Sequence, residues 1–301
     1  MRALVTGGTG FVGKKLLSRL EKPVVLSRNP QEAERKLAAF GVRAFPWDAT
    51  APPPAAAFDG IDTVIHLAGD PVAEGRWTSA KKQRLRESRV AGTRNLVATL
   101  KALPQKPKVL ISASAVGYYG DRGEEQLTET APPARDFLAE VCTSWEEEAL
   151  AAAEVGIRVV TVRIGIVLGP GGGALAKMLL PFQLGLGSPL GNGKQFMPWI
   201  HRDDLVGLLL FAAEREVARG AMNAVAPNPV TNREFTHTLG GVLHRPTFFP
   251  PVPGFMLKLL LGEFGQILLH SQRAVPAAAL AWGYKFQFPE LRAALADVLA
   301  K

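Results

Sequence analysis

The stretch Val5-Thr6-Gly7-Gly8-Thr9-Gly10-Phe11-Val12-Gly13 decides the fold of this 301-residue chain. It follows the apolar run 2–5 and precedes leucines at helical spacing, which predicts a strand, a glycine turn and a helix. The glycines suit a tight turn, a close approach by a ligand, and contact between helix and strand. Because the N–H groups that open such a helix are unpaired, a pyrophosphate can bind there. The predicted dinucleotide contacts in this stretch are Gly7, Thr9, Gly10, Phe11, Val12 and Gly13.

The composition is that of a soluble globular protein, with 47% apolar and 21% charged residues. No apolar run reaches the length of a membrane span, and the first strand opens the chain. We therefore expect no signal peptide, no membrane partner and a cytoplasmic location. The net charge of +8 comes from dispersed Lys and Arg without interleaved aromatic residues, which argues against a nucleic-acid partner. Cys142 is the single cysteine, so an internal disulfide and a cysteine-built metal site are excluded.

The end of the second predicted strand, residues 23–27, indicates which dinucleotide binds. An acidic residue there would hold the ribose hydroxyls of NAD, whereas Ser27 and Arg28 offer a hydroxyl and a cation. These groups suit the 2′-phosphate of NADP, although Arg28 could also be an ordinary surface arginine. Asn29 and Pro30 then predict the start of a helix that runs to about Phe40.

Two further strand ends and one helix supply candidate cofactor contacts. Asp48 follows a third strand, where an adenine-contacting group could stand. The buried strand from Thr63 ends in Leu67, Ala68 and Gly69, whose small size lets a flat ligand pass close to the backbone. Arg89 lies on the inward face of a helix predicted from Thr78 to about Leu103, and its partner is a protein carboxylate or a bound phosphate. His66, within the apolar strand, is interpreted as a hydrogen-bonded core histidine.

A polar segment follows the strand at 109–112. It is expected at the edge of the sheet where the parallel strands end, which is where ligands bind in open α/β folds. Ser112 is a candidate cofactor contact, and Ser114, Tyr118 and Tyr119 are candidates for contact with a reacting carbonyl. A loop tyrosine can also merely pack and hydrogen-bond. Cys142, on the apolar face of the helix that begins at Asp136, is interpreted as an apolar filler. Strand and helix alternate through six strands up to Arg163, which predicts a doubly wound parallel sheet.

The chain resembles the extended short-chain dehydrogenase/reductase superfamily, and within it the atypical family called sugar-nucleotide epimerase-related. The resemblance implies an NADP-binding Rossmann domain (1–165 and 200–228) and a small substrate domain that is mainly C-terminal (166–199 and 229–301). The ligand would lie in the cleft between them. The marks of the resemblance are residues 6–13, 66–71, 112–114, 117–121, Trp145-Glu146, 163–165 and 199–204.

The chain departs from the superfamily at the catalytic pair. The resemblance implies a Tyr-x-x-x-Lys pair, in which the lysine lowers the pKa of the tyrosine for proton transfer. The corresponding helix has Leu138 and Cys142, or Phe137 and Val141, and neither pair can move a proton. Arg89 stands where the superfamily often has asparagine, whereas Ser114 matches the family serine.

Two hypotheses follow. The first is an NADP(H)-dependent oxidoreductase or epimerase with Tyr118 or Tyr119 as proton donor and Ser114 orienting a small-molecule substrate. The second is a non-catalytic protein that senses NADPH. The resemblance alone suggests a sugar nucleotide as substrate, and a homodimer through the helices near 81–103 and 136–155 is left open. No His, Asp or Glu spacing predicts a metal site.

Overall fold

A parallel sheet of seven strands forms the centre of the molecule, in the spatial order β7-β6-β5-β4-β1-β2-β3. The computed structural model describes residues 1–300. The chain moves outward from β1 to β3, then crosses to β4 on the other side of β1. This arrangement confirms the predicted doubly wound sheet and puts its switch point between β1 and β4. The strands are β1 Ala3–Thr6, β2 Val24–Ser27, β3 Arg43–Pro46, β4 Thr63–His66, β5 Val109–Ala115, β6 Arg158–Ile164 and β7 Gly220–Ala224.

Helices cover both faces of the sheet and build the rest of the chain. The predicted start of a helix at Asn29 is confirmed: its side chain accepts a backbone N–H in the first turn, as those of Asp136 and Thr231 do in their helices. The helix after Asn29 ends earlier than predicted and is followed by a 3₁₀ turn. The helices are α1 Phe11–Leu17, α2 Pro30–Lys36, α3 Ser79–Arg86, α4 Gly92–Ala102, α5 Phe137–Leu150, α6 Gly173–Gln183, α7 Arg202–Glu214, α8 Asn232–Val242, α9 Gly254–Leu261, α10 Glu263–Ile267, α11 Ala277–Ala281 and α12 Leu291–Leu299.

The predicted long helix from Thr78 is interrupted. A π-helical turn over Glu87–Ala91 separates α3 from α4. Such a turn adds a residue to the helix and often marks a functional site. Arg89 lies within it.

Residues 166–199 and 226–299 contribute a separate hydrophobic core, which contains Leu168, Phe182, Trp199, Phe235 and Leu295. Three short strand pairs accompany it: Ile166–Leu168 with Trp199–His201, Phe196–Met197 with Val230–Thr231, and Gln126–Leu127 with Arg273–Ala274. The assignment of this part of the chain to a substrate domain stays a prediction. Across residues 1–300, no helix is both long enough and apolar enough to cross a bilayer.

Candidate cofactor and active site

A cleft of about 490 Å³ opens at the switch point between β1 and β4. Its walls come from the ends of β1, β2, β3 and β4, which meet at one edge because the strands are parallel. The predicted contacts that line it are Gly7, Thr9, Gly10, Ser27, Arg28, Asp48, Leu67, Ala68 and Gly69. Phe11, Val12, Gly13, Arg89 and Ser112 do not line this cleft.

The glycine turn is fixed by backbone contacts that leave no space for side chains. Gly7 has a φ of +71°, and a Cβ on it would lie 2.9 Å from the carbonyl of Leu67. A Cβ on Gly13 would lie 2.2 Å from the carbonyl oxygen of Gly7. No side chain caps α1 at Gly10. The turn therefore brings β1, α1 and the end of β4 together and leaves the first N–H groups of α1 without a side-chain cap.

A buried threonine and histidine hold the opposite wall of the cleft. The Thr6 hydroxyl oxygen accepts the N–H groups of Leu67 (3.1 Å) and Ala68 (3.0 Å). Its proton therefore points to His66 Nδ1 at 2.6 Å, and His66 Nε2 carries the proton that is donated to Thr93 Oγ1 at 3.0 Å. Burial lowers the pKa of His66 to about 4, so the ring is neutral. The interpretation of His66 as a hydrogen-bonded core residue is confirmed.

The end of the cleft formed by β2 and α2 carries two cations. Arg28 is exposed, and its guanidinium makes no hydrogen bond or ion pair with any described residue. Lys36, which the sequence analysis missed, also lines the cleft and pairs with Glu32 at 2.5 Å. The i,i+4 spacing of Glu32 and Lys36 was the signal that could have placed them on one helix face. The Ser27 hydroxyl already donates to the carbonyl of Asn29 at 3.2 Å.

Asp48 lies at the same end of the cleft, and its carboxylate can accept hydrogen bonds from a ligand. Its Oδ1 accepts the backbone N–H of Thr50 at 2.9 Å and the Thr50 hydroxyl at 2.7 Å. These hydrogen bonds from Thr50 lower the pKa of Asp48. The Asp48 carboxylate is therefore ionised at neutral pH.

Two cations behind the cleft wall, Lys81 and Arg89, contact the lining residues Asp70 and Pro71. Lys81 forms a short ion pair with Asp70 and donates to the carbonyl of Pro71 at 2.7 Å. Arg89 donates to the carbonyls of Asp70 (3.0 Å) and Leu85 (3.3 Å), and burial lowers its pKa. Within residues 1–300 the hydrogen-bond acceptors of Arg89 include backbone carbonyls but no carboxylate, although the Asp70 carboxylate acts on its charge and raises its pKa against the effect of burial.

Ser114 belongs to a buried charged network rather than to the open cleft. Its hydroxyl donates to Glu146 Oε1 at 2.7 Å. The same carboxylate accepts Arg163 Nε and Nη2, each at 2.8 Å. Ser114, Glu146 and Arg163 are 3%, 7% and 3% exposed, so the network is shielded from water. Ser112 is fully buried in β5, so its predicted contact with the cofactor is not visible at the cleft surface.

The two tyrosines have different environments, and that of Tyr119 disfavours its predicted role as a proton donor. Tyr119 is fully buried, donates to Asn223 Oδ1 at 2.7 Å and accepts Arg163 Nη1 at 3.0 Å. Burial raises the pKa of Tyr119 to about 12. The ring of Tyr118 instead stacks on the Arg163 guanidinium at 3.5 Å and is partly exposed. Among the described residues, no hydrogen-bond partner occupies the Tyr118 hydroxyl.

The two alternative pairs on α5 differ in which side chains face the turn after β5. A Cβ on Gly117 would lie 3.3 Å from Leu138 Cβ and 3.9 Å from Cys142 Sγ, so these two side chains face the turn after β5. Phe137 turns away and packs on Trp77, with ring centroids 5.6 Å apart. Burial raises the pKa of the Cys142 thiol to about 12, as expected for an apolar filler. Residues 1–300 contain no His, Cys, Asp and Glu cluster that could hold a metal ion.

Comparisons with known proteins agree with this geometry. A crystal structure of human epimerase family protein SDR39U1 with NADPH superposes with a TM-score of 0.88 at 37% identity, covering all of both chains. The Bacillus subtilis epimerase family protein YfhF is 37% identical over all of this chain and 98% of its own. The chloroplastic SDR39U1 homologue of Arabidopsis thaliana is 39% identical over 99% of this chain and 87% of its own.

More distant structures share the fold. A UDP-glucuronic acid 4-epimerase from Bacillus cereus has a TM-score of 0.79 at 17% identity, covering all of this chain and 98% of its own. Residues 252–298 match a domain of unknown function, DUF1731. Residues 3–224 match the NAD dependent epimerase/dehydratase family, and since the relatives span nearly the whole chain, the protein belongs to this family.

Proposed function

We propose that the protein is an NADP(H)-dependent oxidoreductase of the epimerase/dehydratase type that acts on a small molecule. The observation that carries this proposal is the cleft at the switch point, with the glycine turn in its wall and the unpaired Arg28 at its adenosine end. The human relative, which is similar over its full length, was crystallised with NADPH.

The residues of the cleft fit NADP(H) better than NAD(H). The glycine turn leaves the backbone N–H groups of α1 available to a pyrophosphate. Cβ atoms on Gly7 and Gly13 would clash with backbone atoms and displace this turn. Arg28 and Lys36 supply positive charge for a 2′-phosphate, and β2 ends without a carboxylate. The unused donors of Arg89 serve a cofactor phosphate or ribose hydroxyl. The proposal retains the other predicted dinucleotide contacts, among them Phe11, Val12 and Ser112.

The remaining chemistry falls to Ser114 and Tyr118. When bound, NADP(H) donates or accepts a hydride. The Ser114 proton is directed to Glu146, so in this proposal the substrate must reach the buried Ser114 oxygen and donate a hydroxyl hydrogen bond to it. Tyr118 keeps a free hydroxyl beside the Arg163 cation and is the proposed proton donor in place of Tyr119.

A paired titration with NADPH and NADH tests the cofactor. We expect NADPH to bind about tenfold tighter or more, and Arg28→Ala to remove most of that preference. Arg19→Ala changes an exposed arginine that does not line the cleft. It is the control, and we expect it to keep the preference for NADPH. Equal affinity of the two nucleotides for the wild type contradicts the NADP assignment.

A non-catalytic NADPH sensor is the second candidate, and the apolar pair Leu138 and Cys142 favours it. The two candidates differ in hydride transfer. The enzyme transfers deuterium from labelled NADPH to a compound in a metabolite extract, and the sensor transfers none. Nucleotide binding without transfer to any extract therefore supports the sensor.

The substrate, the assembly and the location stay predictions. A panel of UDP-sugars offered with NADP⁺ and NADPH tests the sugar nucleotide. The predicted homodimer face carries ion pairs within one chain, such as Arg94 with Glu148 (2.5 Å) and Lys101 with Glu154 (2.8 Å). Sedimentation of the protein measures its mass in solution and tests the dimer. Cell fractionation tests the cytoplasmic location.

A further inference from the structure

The second core carries large apolar side chains on its outside. On α9, Phe255, Leu259 and Leu260 are 72%, 71% and 64% exposed. Leu184 (66%), Leu186 (53%), Phe248 (77%) and Phe249 (39%) are exposed on the two segments that precede it. These seven residues are called the apolar surface below. Exposed apolar residues are ordinary when single, whereas a group of large ones marks an interaction site.

Backbone contacts join these segments into one region. The Ser188 hydroxyl donates to the carbonyl of Pro250 at 2.6 Å. Val252 N–H donates to the carbonyl of Pro189 at 2.8 Å, and Gly191 N–H to that of Val252 at 2.9 Å. Segments 184–191 and 246–252 therefore run side by side, and α9 begins two residues later at Gly254.

The charged side chains within the segments that carry the apolar surface are all cations. Residues 173–199 and 235–262 contain no Asp or Glu, and their charged side chains are Lys177, Lys194, Arg245 and Lys258, all exposed. Glu263, which follows α9, is paired with Lys82 at 2.6 Å. The segments that carry the apolar surface therefore contribute cations and no carboxylate.

This combination disfavours a second copy of the chain as the occupant. Self-association through the apolar surface would bring like charges together without a carboxylate from these segments to pair with them. An anionic lipid surface offers the complementary charge and an apolar layer beneath its headgroups. An exposed apolar helix lying on such a surface does not need to span the membrane.

We infer that the apolar surface docks on a bilayer that contains anionic phospholipid. This inference is independent of the proposed function. It replaces the expectation of no membrane partner, which rested on the absence of a spanning run. The surface also adjoins the segment after Pro71 of the cleft, because Arg76 donates to the carbonyl of Leu259 at 2.8 Å and Lys177 to that of Ala73 at 2.7 Å.

Co-sedimentation of the full chain with vesicles tests the inference. The vesicles contain phosphatidylcholine alone, or phosphatidylglycerol in place of about a third of it. The variant Phe255→Ser/Leu259→Ser removes two exposed apolar side chains. Val217→Ser/Leu280→Ser is the matched control, because those residues are 61% and 50% exposed outside the apolar surface. Arg245→Gln/Lys258→Gln tests the charge.

We expect the wild type and the control to bind the anionic vesicles about tenfold more strongly than the neutral ones. The apolar and the charge variants should each lose about tenfold in binding to anionic vesicles. Absence of wild-type binding, equal binding to both vesicles, or an unaffected apolar variant each overturns the inference. It is also overturned if the wild type self-associates without lipid and the apolar variant becomes monomeric, since a second copy then covers the surface.

Discussion

Replacing Gly7 by alanine tests whether the cleft depends on contact between the glycine turn and the end of β4. Gly7 has a φ of +71°, and its Cβ would lie 2.9 Å from the carbonyl carbon and oxygen of Leu67. Gly41 is a matched control, because its φ is +60° and a Cβ there meets nothing within 4 Å. Both variants carry the conformational cost of a left-handed alanine, about 1–2 kcal/mol, partly offset by a less flexible unfolded chain.

The variants differ in the contact with Leu67. Because backbone atoms cannot move aside as a flexible side chain does, Gly7→Ala carries an added overpacking cost of about 1–3 kcal/mol. We expect Gly41→Ala to lose at most about 1 kcal/mol of unfolding free energy and Gly7→Ala about 2–4 kcal/mol. The new Cβ pushes the glycine turn away from Leu67 and so separates the two walls of the cleft. NADPH affinity should therefore fall at least about tenfold in Gly7→Ala and not in Gly41→Ala.

Urea denaturation measures the unfolding free energy, and titration of folded protein with NADPH measures the affinity. If Gly7→Ala and Gly41→Ala lose the same free energy and both bind NADPH like the wild type, the contact with Leu67 does not shape the cleft. That result would falsify the role given to the turn.

Three further predictions concern other side chains of the site. His66 has a pKa of about 4 when folded and 6.5 when unfolded, so the unfolded chain binds more protons between these values. Urea denaturation should therefore show stability falling by about 3 kcal/mol from pH 6.5 to pH 4, and less in His66→Gln. Arg163→Met should lose about 3–5 kcal/mol by the same assay because it leaves the buried Glu146 unpaired, with partial recovery in Arg163→Met/Glu146→Gln. Tyr118→Phe should slow deuterium transfer by about a hundredfold with NADPH binding retained, whereas Tyr119→Phe should lower stability by about 1–3 kcal/mol. Full turnover in Tyr118→Phe rules out that donor.

The parts of the site that could be predicted depend on local backbone. The glycine turn follows from spacing alone, because Gly7, Gly10 and Gly13 occupy fixed positions between a strand and a helix. The helix cap at Asn29 is equally local, since its side chain contacts an N–H three residues later. Such features need no knowledge of how distant elements pack.

The parts that could not be predicted depend on contacts between distant elements. Ser114 and Glu146 are 32 residues apart, and Tyr119 and Asn223 are 104 residues apart. Tyr118 and Tyr119 are equivalent candidates in the sequence because they are neighbours after one strand. The 3₁₀ turn over Val116–Tyr119 turns one ring into the core and leaves the other partly exposed.

The buried network around Ser114 bears on the choice between enzyme and sensor. An ion pair as buried as that of Glu146 and Arg163 has a desolvation cost that its attraction only partly repays. Apolar side chains of similar volume would stabilise this position equally well or better, as Cys142 and Leu138 do one and two turns earlier on the same helix face. A protein that merely binds a nucleotide has no need of this charged pair beside the family serine. Its presence therefore supports the proposed enzyme, in which Glu146 fixes the direction of the Ser114 proton.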